Sequence, residues 1–89
     1  MEHKEPRTIK VRVKSQNGHC EFGHKVGDTI TFDGEGVTGR ICLHSLYSIL
    51  PKVFAMRYNA DFPWREEGAK AGHACPDAVN PVVYELWEE

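Results

Sequence analysis

Each of the three cysteines has a histidine close to it along the chain. Cys20 is followed by His24, Cys42 by His44, and Cys75 is preceded by His73. Thiolate and imidazole are the donors preferred by zinc and its borderline-soft neighbours, so the pattern points first to metal binding. Residues 73 and 75 share a face if they lie in one strand. Cys20 and His24 can converge across a glycine-containing loop. Cys42 stands at the entrance of an expected helix, where free amides favour an anionic sulfur. The best set of four is Cys20, His24, Cys42 and Cys75. Three thiolates and one imidazole make a closed shell for zinc, which stabilises rather than catalyses. Iron, or an iron–sulfur cluster on the same ligands, ranks below zinc because no cluster-type run of cysteines is present. No C-x-x-C knuckle occurs either, and 22 and 33 residues separate successive cysteines, so only folding can unite them. The plain alternative is three inert, buried thiols.

A second reading, of another class, is a small-molecule or redox pocket built on a Cys–His pair. An imidazole beside a thiol can activate it, with Cys20 and His24 or Cys75 and His73 as the pairs. His44, His73, Phe62 and Trp64 are the further candidates to line such a pocket. Support for turnover is thin. Asp28, Asp33, Asp61 and Asp77 fall near turns, where aspartate serves the backbone, and no serine nucleophile elbow exists. Gly34 to Gly39 spells G-E-G-V-T-G. The dinucleotide fingerprint that it matches needs a second βαβ unit, for which the chain has no room, so a glycine-rich turn is expected.

Composition bounds the rest. The chain has 89 residues, 40% hydrophobic and 27% charged, with a formal net charge of −2. That is one small domain, whose modest core would gain from a metal or a partner subunit. No broad basic field exists to hold a phosphate backbone, which disfavours nucleic acid. No run of 18 apolar residues predicts a membrane span. The charged N-terminus lacks the apolar stretch of a secretory signal. A cytoplasmic protein with reduced cysteines is expected.

The elements that must position these residues follow from periodicity. Residues 8–15 alternate apolar side chains with Lys10, Arg12 and Lys14, the signature of a half-buried strand. Gln16-Asn17-Gly18 is a turn, residues 19–27 a loop, and residues 28–33 a second strand antiparallel to the first. From Cys42 onward Leu43, Leu46, Tyr47, Leu50, Val53, Phe54 and Arg57 recur at threes and fours. This predicts an amphipathic helix with Tyr47 and Phe54 in the core, split or kinked near Leu50 by Pro51. Phe62 and Trp64 lie in an irregular stretch and are expected to lid the core or an interface. Glu66 and Glu67 are expected to be solvated. Residues 71–75 are extended, and residues 82–87 form the last strand, with Val82, Tyr84 and Leu86 on one face. The fold class is therefore α+β: a mainly antiparallel sheet of three to four strands with a Pro-kinked helix on one face. Residues 1–7 are expected to form a disordered tail and residues 8–89 a single domain. A third reading follows from the aromatics: a structural subunit without a site, oligomerising through Phe62, Trp64 and Trp87.

Several segments carry a resemblance: Gly18-His19-Cys20, Gly23-His24-Lys25-Val26-Gly27-Asp28, Gly39-Arg40-Ile41-Cys42, Leu50-Pro51, Cys75-Pro76-Asp77 and Asn80-Pro81-Val82-Val83. Together they resemble a family of small prokaryotic proteins of about this length. Its members are stand-alone domains sharing three cysteines and a Gly-His-x-x-Gly-Asp stretch. The resemblance spans residues 9–86. It implies that Cys20, His24, Cys42 and Cys75 belong to the family pattern, and it implies no activity. The family pattern has proline after Cys42 where this chain has Leu43, which loosens the helix-start argument. His19, His44 and His73 are not part of the pattern.

Overall fold

The computed structural model describes residues 6–60, 62–65 and 70–89. Asp61, Glu66, Glu67 and residues 1–5 of the expected tail lie outside the described residues. Among these described residues five strands and one helix follow in the order β1 (Ile9–Gln16), β2 (Thr29–Asp33), β3 (Gly36–Thr38), α1 (Leu43–Arg57), β4 (Ala71–Ala74) and β5 (Val82–Glu88). All pairings are antiparallel, and the sheet order is β3-β2-β1-β5-β4.

The α+β class with one antiparallel sheet and one helix matches the periodicity, but the sheet has five strands rather than three to four. The added strand is β3, whose three residues are all exposed and so carry no apolar alternation. It hangs on β2 through a two-residue turn at Gly34-Glu35, where the Glu35 amide donates to Asp33 Oδ1 at 2.8 Å. The glycine-rich segment is thus a hairpin turn.

Alternation makes the sheet one-sided. Ile9, Val11 and Val13 of β1, Ile30 and Phe32 of β2, Ala71 of β4, and Val82, Tyr84 and Leu86 of β5 are buried on the face under α1. The other face carries Lys10, Arg12, Lys14, Glu85 and Trp87. There Arg12 pairs with Glu85, and Lys70 lies 4.5 Å over the Trp87 ring. Burying one aliphatic side chain of this kind stabilises by about 1.5–3 kcal/mol, so the inner face supplies most of the cohesion.

Helix α1 differs from expectation in two ways. It runs unbroken through Pro51. The proline is exposed, and the turn after it is held by Val53 and Met56 in the core. The face in contact with the sheet is Ser45, Ile49, Val53 and Met56, so Tyr47 and Phe54 point to solvent. The helix stops where Asn59 adopts φ +66. The amides of Asn59 and Ala60 then return to the carbonyls of Met56 and Ala55, a Schellman closure. Arg7, expected in the frayed tail, donates its amide to the Arg57 carbonyl at 2.7 Å. Among the described residues no helix is long and apolar enough to cross a membrane.

Candidate functional site

The three cysteines come from three different connections and meet at one end of the sheet. Cys20 lies in the β1–β2 loop, Cys42 immediately precedes α1, and Cys75 follows β4. With His24, His44, Ser45, Phe22, Val82 and a rim that includes Asp77 and Asn80 they line a cavity of about 400 Å³. All three are free thiols and half-buried.

Each connection is fixed by its own bonds. Cys20 accepts from the Gly23 amide at 2.9 Å, a tight turn that brings His24 back toward the sheet. The loop is anchored again where Gly27 donates to Val13 and Val13 to the Asp28 carbonyl, both at 2.9 Å. Cys75 faces Val82 across the last connection. Its amide donates to the Val82 carbonyl at 2.9 Å, and its Sγ accepts the Val82 amide at 3.2 Å. The intervening turn is closed by Asp77 Oδ1, which accepts from the amides of Val79 and Asn80 at 2.9 Å each. These two bonds, first among the causes, hold the Asp77 carboxyl below its usual range. Asn80 Oδ1 in turn accepts from the His19 amide at 2.9 Å, tying the β4–β5 connection to the β1–β2 loop.

His24 links loop and helix. It is 3% exposed, between Phe22 at 4.6 Å and the edge of Tyr84 at 5.8 Å. Its Nε2 accepts from the Cys42 amide at 3.2 Å. An accepting Nε2 places the proton of the neutral ring on Nδ1. That atom is buried without a hydrogen-bond partner, with Asp28 Oδ2 at 3.8 Å. Burial lowers the His24 pKa, Asp28 opposes this, and Arg40 adds to it. The ring is therefore a neutral acceptor at physiological pH. Cys42 has no side-chain cap bond, so the helix entrance is held by His24 from outside the helix.

Beneath the cavity Tyr84 donates to Ser45 Oγ at 2.8 Å, and both residues are buried. The Tyr84 pKa is pushed up to about 12, first by burial, with the Ser45 bond opposing and the three cysteines adding to the rise. No local pattern marks this pair, because its members sit 39 residues apart. Phe22 and Asn80 were also missed; turn residues of this kind look like ordinary loop chemistry.

The fold brings together Cys20, His24, Cys42, His44 and Cys75. It places His73, Phe62 and Trp64 elsewhere. His73 on β4 meets Ser48 Oγ at 3.0 Å, so the expected Cys75–His73 pair does not share the cavity. Phe62 packs against the core and stacks on Trp64 at 4.9 Å and 5°. Lys52 lies 5.4 Å over the Trp64 ring. Among the described residues no three His, Cys, Asp or Glu side chains already stand close enough to hold a metal ion. The arrangement is a thiol-lined cavity, not a preassembled coordination sphere. No family model, curated protein or solved structure matches the chain.

Proposed function

We propose that this chain is a small cytoplasmic metal-binding module that grips a soft cation with Cys20, Cys42 and Cys75 and works without turnover. Zinc is the first choice; iron or an iron–sulfur cluster ranks second. The observation that supports this reading is the meeting of three free thiols, from three separate connections, around one cavity. In this reading His24 is a positioning residue, because its Nε2 lone pair is spent on the Cys42 amide. The fourth position is left to water or a small ligand in the cavity. Closing the shell requires cysteine side chains to rotate and the β1–β2 loop to tighten. Ordering a side chain costs about 1 kcal/mol, against about 10–16 kcal/mol released by structural zinc in small domains. The second quantity dominates, so the open arrangement of the three thiols is compatible with tight binding. Membership of the three-cysteine prokaryotic family is part of the same proposal.

A second reading is favoured by one observation, the cavity volume of about 400 Å³. That is far more than one ion needs and lies within the range of small-molecule sites. In this reading the thiols face a small electrophilic or redox-active ligand. Elemental analysis of untagged protein, made in the presence of zinc and without chelator, separates the two. The metal reading expects one metal per chain, lost in Cys42→Ser and kept in His44→Ala. Less than a tenth of an equivalent in the parent chain, with thiols that react freely before and after zinc is added, would discard it.

A further inference from the structure

The outward side of α1 is as apolar as the inward side. Leu43, Tyr47, Leu50, Phe54 and Tyr58 are 78%, 84%, 42%, 68% and 54% exposed, and their spacing puts them in one stripe opposite Ile49 and Val53. Whole aromatic side chains present about 200 Å², so the stripe offers roughly 600 Å² of apolar surface. This is at the upper end of what a monomer leaves in its largest patch, and most of the roughly 800 Å² that each partner gives to a standard interface.

We propose that this stripe is a self-association surface on which a second copy of the chain packs its own α1 antiparallel across a two-fold axis. The stripe is nearly symmetric about Leu50-Pro51. Turned end for end, Tyr47 of one copy falls opposite Phe54 of the other, Leu43 falls opposite Tyr58, and the Leu50 residues meet near the axis. Apolar groups face apolar groups at every step, which an isologous contact requires. Charge argues against a lipid surface as the occupant. A helix that lies on a membrane keeps basic side chains free beside its apolar face. Here Lys52 bonds the Gly72 carbonyl and covers Trp64, while Arg57 Nε bonds the Arg7 carbonyl at 3.0 Å. The helix holds no acidic residue that would oppose like-with-like packing. This surface does not use the cysteine cavity and stands whether or not a metal binds there.

Sedimentation equilibrium of the full chain over a wide concentration range tests the proposal. The parent should form a dimer. Tyr47→Lys and Phe54→Glu should each weaken it about tenfold or more, because they bury a charge in an apolar contact. Both positions are exposed, so tryptophan fluorescence should match the parent, as should the unfolding midpoint at concentrations where the parent is monomeric. Mixed in equal amounts, the two variants should associate again, since Lys at 47 then faces Glu at 54 of the other copy. A parent that stays monomeric would overturn the proposal, including one that instead floats with phosphatidylcholine–phosphatidylserine vesicles. So would a dimer untouched by either substitution, or a mixture that fails to recover.

Discussion

The bond between Tyr84 and Ser45 joins the centre of β5 to the first turn of α1 beneath the cavity, and its worth can be measured by a double-mutant cycle. Tyr84 is 0% exposed, Ser45 is 2% exposed, and the oxygens are 2.8 Å apart. Ser45→Ala leaves a buried phenol without its acceptor, which costs about 1–3 kcal/mol. Tyr84→Phe leaves only a serine hydroxyl, which can turn back to a helix carbonyl, and should cost about 1 kcal/mol. The double variant has neither group to leave unsatisfied. Its loss should fall short of the two single losses together by about 1 kcal/mol, the coupling typical of direct partners. Urea unfolding followed by the fluorescence of Trp64 and Trp87 gives all four free energies. The same pair predicts an alkaline signature. With Tyr84 raised to about 12, the unfolded chain gives up its proton first. The stabilisation is complete below pH 10 and is lost as pH rises through 10 to 12, amounting to about 2–3 kcal/mol. Tyr84→Phe should remove that loss. Single losses that add within about 0.3 kcal/mol would refute the direct bond, and an alkaline slope that survives in Tyr84→Phe would refute the assignment of that loss to the buried Tyr84 phenol.

Three further outcomes follow from the same fold. Burial lowers the pKa of both His24 and His73, reinforced by Arg40 at the first and Lys52 at the second. The unfolded chain takes up protons first, so urea stability should fall as pH drops below about 6.5, and His24→Asn should flatten the slope. Gly39 has φ +114, and a Cβ there would stand 2.8 Å from the Thr29 carbonyl oxygen. Gly39→Ala should therefore cost about 1–3 kcal/mol, read as a melting point lower by several degrees. Asn59→Ala removes the residue that tolerates φ +66 at the end of α1 and should cost about 1 kcal/mol in the same assay, whereas Asn59→Gly should be nearly neutral.

What the sequence could and could not reveal has a physical pattern. Strands β1, β2 and β5 were legible because each buries alternate residues, and a period of two survives in the text. The helix was legible as a helix but not in its orientation. Apolar residues occupy both of its sides, and the inward side contains Ser45, which reads as polar until Tyr84 is placed beside it. The stripe of Tyr47 and Phe54, the more aromatic of the two, is the one that faces solvent. Strand β3 was invisible because nothing in it is buried. At the site, residue types were enough to single out Cys20, His24, Cys42, His44 and Cys75, since sulfur and imidazole are rare enough to notice. The role of His24 was not, because the bond that defines it goes to a backbone amide 18 positions away. His73 stood as close to a cysteine in sequence as His44 does. The strand direction carried it to Ser48 instead.

Whether the three sulfurs can close on one borderline-soft cation is read by titrating the reduced, chelator-treated protein with cobalt(II) and following sulfur-to-metal charge-transfer absorption. Closure by all three sulfurs gives a band that saturates at one equivalent with an intensity matching three thiolates. The saturating band should be lost in Cys42→Ser and weakened in Cys20→Ser and Cys75→Ser, and zinc should displace the cobalt. A spectrum with no sulfur charge-transfer band, or one that a single cysteine accounts for, would contradict it.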